Sequence, residues 1–201
     1  MRRHFDRWSP RYEKDRVSRF NAEIQGAAFE CLGLLPDDHF LDVGCGSGAA
    51  VRRAAGVAQR AVGVDLSAGM ISRARELATD VPNAEFVRGD SESLPFSAGE
   101  FSAVLCTTSF HHFPDPLGAA GEMTRVLDVG GRLVVGDPCT DRRAAWLLNL
   151  ALRAFQRSHV SFYSSQQLQG FLEQAGLKVT DTRFLFGRGY QICKAHKVPS
   201  A

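Results

Sequence analysis

The chain has 201 residues, 44% apolar and 23% charged, and its 24 Lys and Arg against 22 Asp and Glu leave a net charge of +2. That composition excludes a disordered or collagen-like chain, and at this length it points to one domain able to bury a core without disulfide staples. The five cysteines, at 31, 45, 106, 139 and 193, form no CxxC pair, which argues against zinc fingers and thioredoxin-type redox motifs and fits reduced thiols in a cytoplasmic protein.

The basic start leads into no apolar stretch of a secretory signal, and no apolar run reaches the length of a membrane span. Six basic residues (Arg2, Arg3, Arg7, Arg11, Lys14 and Arg16) are mixed with Asp6, Glu13 and Asp15. They read as a solvated amphipathic arm, too sparse for a nucleic-acid footprint, so no nucleic-acid partner is expected. Residues 14–35 have helical spacing, with Val17, Phe20, Ile24, Ala28, Cys31 and Leu32 recurring on one face, until Pro36-Asp37-Asp38 breaks the pattern. Residues 1–35 are therefore expected to be a helical arm or lid on a main domain of residues 36–201.

That domain alternates strand and helix. A buried strand over 39–43 runs into Gly44-Cys45-Gly46-Ser47-Gly48, with a helix to about Ala58. A second strand over 61–64 ends in Asp65, and Ser67 is placed to cap a helix to about Thr79. A third strand over 84–88 ends in Gly89-Asp90, and a fourth, over 101–107, carries Ala103-Val104-Leu105-Cys106, which suits burial on both faces. Asp115 or Pro116 opens a helix to about Leu127, and Val129-Gly130-Gly131 turns into a fifth strand over 132–136. An apolar helix is expected over 141–157, then a helix capped by Ser164 or Ser165 that stops at Gly176. Strands over 179–186 and 190–193, joined by Gly187-Arg188-Gly189, read as a closing hairpin. Alternation implies a parallel α/β sheet covered by helices on both faces, and the hairpin adds an antiparallel strand.

In such sheets ligands bind beyond the carboxyl ends of the strands. Three glycines after the first strand let the backbone approach a ligand closely. Asp65, 21 positions beyond Gly44, could accept hydrogen bonds from both hydroxyls of a ribose. The third glycine arrives one position earlier than in the dinucleotide pattern, and Asp42 precedes the loop; negative charge there suits an ammonium better than a pyrophosphate. Asp90 would be a third polar group at a strand end. No His, Cys and carboxylate cluster indicates a metal.

Leu41-Asp42-Val43-Gly44-Cys45-Gly46-Ser47-Gly48 resembles motif I of the class I S-adenosylmethionine-dependent methyltransferases. Val64-Asp65-Leu66-Ser67 with Met70, the run from Arg88 to Phe96, Phe101-Ser102-Ala103-Val104 with His111-His112-Phe113, and Arg125-Val126-Leu127 with Gly130-Gly131-Arg132-Leu133 resemble the family's later motifs in order. The likeness is greatest to the branch of ubiquinone, menaquinone and natural-product methyltransferases. Asp128-Val129 stands where that family usually has Lys-Pro, which affects a turn. The resemblance implies a Rossmann-like, doubly wound, seven-stranded, mostly parallel sheet with an antiparallel C-terminal strand, and S-adenosyl-L-methionine as cofactor. By the same resemblance, Asp42, Gly44 and Gly46 would hold its methionine end, with Thr107 behind it, and Asp65 its ribose. Leu66 and Met70 would flank the adenine, Asp90 and Ser91 would meet its edge, and Tyr12 would be a lid contact.

A general base is needed only where the acceptor loses a proton, and His111 and His112 stand near the expected transfer point. Thr107-Thr108-Ser109-Phe110 departs from the Asp/Asn-Pro-Pro-aromatic motif of the DNA and RNA amino-methyltransferases, so a flipped base is not the expected acceptor. Cys45 reads as a small filler and Cys139 as a buried thiol. The apolar surface expected around Trp146, Leu147 and Phe155 could line an acceptor pocket or a homodimer contact. The small variable segments favour a small-molecule acceptor. Two other readings stay open: an NAD-dependent oxidoreductase, and a catalytically silent S-adenosylmethionine-binding module.

Overall fold

The computed structural model describes residues 16–142, 149–150 and 161–199, and of residues 16–22 the backbone alone. Its elements are α1 (Arg16–Leu32), β1 (His39–Val43), α2 (Ala49–Ala55), β2 (Arg60–Asp65), α3 (Ala68–Leu77), β3 (Ala84–Arg88), β4 (Phe101–Thr107), a 3-10 turn (Phe110–His112), α4 (Pro116–Val126), β5 (Leu127–Pro138), α5 (Ser165–Gln174), β6 (Leu177–Leu185) and β7 (Tyr190–Lys197). The sheet order is β3-β2-β1-β4-β5-β7-β6. β1 pairs in parallel with β2 and β4, β2 with β3, and β4 with β5, while β7 runs antiparallel between β5 and β6. The order reverses between β1 and β4, so the loops leaving them diverge and open a crevice at the carboxyl ends of both strands.

Side-chain alternation builds a core on each face of the sheet. Leu41, Val43, Val62, Val64, Val104, Leu133 and Val135 point to one face, where Met123 of α4 and Leu168 and Leu172 of α5 cover them. Phe40, Ala61, Ala103, Leu105 and Val134 point to the other, under Ala28 and Leu32 of α1, Val51 of α2 and Ile71 of α3. Coverage on both sides explains why the central strands are continuous apolar runs. The C-terminal end of α1 is fixed by cations: Lys194 Nζ donates to the Cys31 carbonyl at 2.8 Å and Arg132 Nε to the Leu32 carbonyl at 3.1 Å. Arg132 also pairs with buried Asp38, which accepts from Ser102 Oγ at 2.6 Å and the Leu35 amide at 2.7 Å. All five cysteines are buried free thiols.

The caps follow the sequence. Ser67 accepts from the Met70 amide, Asp115 from the Gly118 amide, and Ser164 forms a capping box with Gln167. Boundaries differ where pairing extends an element. β5 begins at Leu127, because Phe101 pairs with Leu127 and Ala103 with Arg132; the expected turn at 129–131 is an irregularity inside the strand, with Gly130 at φ +79°. β7 continues to Lys197 because β5 offers partners as far back as Arg132, opposite His196, and Leu177 of β6 pairs with Lys197. α1 stops at Leu32, short of Leu35, and α2 at Ala55, short of Ala58. The helix expected over 141–157 falls mainly outside the described residues, as does the N-terminal segment with Tyr12. No helix among the described residues is long and apolar enough to cross a membrane.

Candidate functional site

The crevice is built from strand ends. The amides of Gly44 and Cys45 both donate to the Val64 carbonyl, at 2.8 and 3.0 Å, and this turns the chain sharply after β1. Gly44 has φ +80°, and a Cβ there would stand 2.5 Å from both Cβ and Oγ of Ser109. Only glycine serves at this position, since Ser109 crosses directly over it and donates Oγ to the Gly44 carbonyl at 3.0 Å. Asp65, closing β2, accepts from the Gly46 amide at 2.9 Å and the Ser67 amide at 2.8 Å. Its carboxylate thus ties the glycine loop to the start of α3. A Cβ at Gly46 would meet nothing within 4 Å, so the loop presents bare backbone to open space.

A cavity of about 320 Å³ lies over these ends, within the range of small-molecule sites. Gly44, Gly46, Asp65, Leu66, Met70, Asp90, Ser91 and His112, all singled out from sequence, line it. Asp90 Oδ1 accepts from the Glu92 amide at 3.1 Å, which curls the loop after β3. Phe113, expected as a possible aromatic wall, lines it too, and Glu92, Thr108 and Ser109 do so without having been given a role. The signal available for them was position: each follows a parallel strand on its carboxyl side.

Three expected residues do not line the cavity. Thr107 is buried at the end of β4, with its carbonyl accepting from Ser109 Oγ at 3.1 Å. Asp42 is only 2% exposed, beneath the loop, where burial, reinforced by the charge of Asp65, pushes its carboxyl up to about 8. The expectation of a standing negative charge at Asp42 is therefore corrected: without a cation beside it the group holds its proton at neutral pH. His111 is buried and turned toward the end of β5, its Nδ1 3.0 Å from Asp137 Oδ1. Asp137 was missed in the sequence, although it is an acid at a strand end like Asp42, Asp65 and Asp90. The rings of His111 and His112 lie 3.9 Å apart, centroid to centroid. Tyr12 lies outside the described residues.

Cys45 packs as a filler: its Sγ would be 2.8 Å from a Cβ at Gly63, and burial pushes its thiol well up. Cys139 is likewise buried, with its thiol raised to about 11, chiefly by burial. Neither is activated as a nucleophile. Among the described residues no group of three or more His, Cys, Asp or Glu is arranged to hold a metal ion.

A family model described as a methyltransferase domain matches residues 41–135, which run from within β1 to within β5 and include every residue that lines the cavity. The chain is 33% identical over 155 residues to the 27-O-demethylrifamycin SV methyltransferase of Amycolatopsis mediterranei, covering 73% of this chain and 57% of that protein. It is 32% identical over 157 residues to a demethylmenaquinone methyltransferase of a Mycobacterium species (strain KMS), covering 73% and 66%. The chain spans about one to two thirds of the length of the curated relatives it matches. Among solved structures, the YcgJ protein of Bacillus subtilis superposes with a TM-score of 0.79 over 89% of this chain and 100% of that one, at 20% identity, a likeness of fold.

Proposed function

The chain belongs to the class I S-adenosylmethionine-dependent methyltransferases, and from that premise we propose that it transfers a methyl group to a small-molecule acceptor bound beside the strand-end cavity. The observation that carries the reading is Asp65: a carboxylate fixed by two backbone amides at the rim of a cavity whose floor is bare glycine backbone. The residues present fit the cofactor. Asp65 would accept from the ribose hydroxyls, Leu66 and Met70 would flank the adenine, and Asp90 with the Ser91 amide would meet its edge. Gly44 and Gly46 would lie against the methionine end, with its ammonium drawing the proton off Asp42.

When bound, the cofactor supplies a methyl group activated by its positive sulfur. The protein's part is to hold the acceptor in line and exclude water, which alone can account for a large share of the acceleration. His112 and Phe113, which line the cavity, would form its wall on the acceptor side. The two curated relatives carry small-molecule names, rifamycin and menaquinone precursors, which supports an acceptor of that size for this chain.

Calorimetric titration with S-adenosylhomocysteine tests the reading. Binding is expected, and weaker binding is expected for Asp65→Ala. Thermal stabilisation by NAD and none by S-adenosylmethionine would overturn it in favour of an oxidoreductase.

A further inference from the structure

A second hollow lies on the far side of α3, and its walls carry arginines. Met70 of this helix faces the cavity. Ala68, Ile71, Ser72, Arg75 and Glu76 recur at helical spacing on the opposite side, where with Arg88 of β3 they line a shallow groove of about 450 Å³. β3 is an edge strand, three positions along the sheet from β4, whose loop would supply the acceptor side of the cavity. A ligand in this groove would therefore be neither the cofactor nor the methyl acceptor.

Both guanidiniums are held in place by main-chain carbonyls. Arg75 Nη2 donates to the Phe86 carbonyl at 2.6 Å, and Arg88 Nε donates to the Leu66 carbonyl at 3.3 Å. Neither pairs with a carboxylate among the described residues, whereas Arg60, Arg73 and Arg125 each do. The acid in the groove, Glu76, is engaged by Arg73 at 3.1 Å. Two positive charges thus flank the groove without an acid of their own. Each arginine uses one N–H on a carbonyl, and a guanidinium has five, so most of the donors are left for a ligand.

We propose that this groove is an anion site whose ligand is a phosphate group, presented as free phosphate or as a monoester of a small polar molecule. A guanidinium matches phosphate in shape as well as charge, because two parallel N–H groups meet two oxygens. Anchoring on the carbonyls preorganises both forks, which lowers the ordering cost of binding. The exposed hydroxyl of Ser72 is a further donor in the same groove, and Ala68 and Ile71 give it a small apolar floor for a short organic group. The cavity on the other side of α3 does not compete for this anion. The charged groups that line it are Asp65, Asp90 and Glu92, with no Lys or Arg among them.

The test titrates the full chain with sodium phosphate, and separately with glycerol 3-phosphate, in chloride buffer at constant ionic strength. Calorimetry reads the affinity, and NMR of the arginine Nε–H signals reads the location. Saturable phosphate binding with a Kd on the order of 1 mM is expected, with the signals of Arg75 and Arg88 shifting most. Tighter binding of glycerol 3-phosphate assigns a monoester, and equal or weaker binding assigns free phosphate. Arg75→Gln and Arg88→Gln should each weaken binding about tenfold or more, because each removes a charged pair of donors. The NMR shifts are read on the parent, so they decide the location even where a variant folds poorly. Shifts reproduced by chloride alone, phosphate shifts centred on other arginines, or unchanged affinity in both variants overturns the inference.

Discussion

Asp42→Asn should make the ligand-free protein more stable and its cofactor site weaker. The carboxyl is fully buried, makes no side-chain hydrogen bond among the described residues, and is raised from its ordinary value of 3.8 to about 8, by burial first and by Asp65 second. The folded protein therefore keeps a proton that the unfolded chain gives up above about pH 4. The unfolded state binds fewer protons through this window, so parental stability falls as pH rises from about 4 to about 8 and levels off beyond. At about 1.4 kcal/mol per pH unit, the cost at pH 7 is at most about 4 kcal/mol. The neutral amide escapes it, which corresponds to a rise in Tm of roughly 10 °C for a domain of this size. At pH 4 the two proteins should melt together. The assay is thermal or urea unfolding of both proteins at several pH values, with calorimetric titration of S-adenosylhomocysteine alongside. Binding should weaken by about tenfold or more, because the ammonium loses a charged partner. Calorimetry in buffers of different ionisation enthalpy should show proton release on binding at pH 7 by the parent alone. An Asn variant that is no more stable at pH 7, or one whose advantage is the same at pH 4, refutes the reasoning.

Asp65→Ala should lose about 100-fold or more in affinity for S-adenosylhomocysteine with the ribose contacts, and also about 2 kcal/mol of stability, because the Gly46 and Ser67 amides lose their acceptor; urea unfolding checks the second part. Gly46→Ala should cost only about 1 kcal/mol for its positive φ, yet impair cofactor binding in calorimetry, since the methyl points into open space at the cavity. Gly44→Ala should cost more than about 2 kcal/mol and lower Tm clearly, because its methyl would collide with Ser109. Arg132→Met should cost about 3 kcal/mol in urea unfolding at neutral pH, because Asp38 is left buried without its cation and the end of α1 loses a donor.

Much of the architecture was legible because it is written in local patterns. The strands over 39–43, 84–88 and 101–107 appear with the expected bounds, since each is a short run with an apolar centre closed by turn chemistry. Ser67, Asp115 and Ser164 cap the helices they precede because a short polar side chain before a helical pattern has one obvious partner, the orphan amide. The bounds of β5 and β7 were not legible in this way. They are set by how far two strands distant in sequence find each other's backbone groups.

The candidate site divides along the same line. Gly44, Gly46, Asp65 and Asp90 could be found from sequence because loops at the carboxyl ends of parallel strands must meet at the crevice whatever the side-chain packing. Chemical state could not be read that way. Asp42 and Asp65 are both acids that close or nearly close a strand, yet burial pushes the first up to about 8 while the second stands at the cavity rim, where two amides donate to it. Asp137 came to stand opposite Gln191 only when β5 and β7 paired, with His111 Nδ1 3.0 Å from its carboxyl. Residue identity and spacing by themselves determined the fold class, the glycine loop and the acids that could face a ligand. The tertiary structure decided which of those acids is buried and which faces the cavity, and with it the rise at Asp42, because desolvation depends on what the rest of the chain packs around each group.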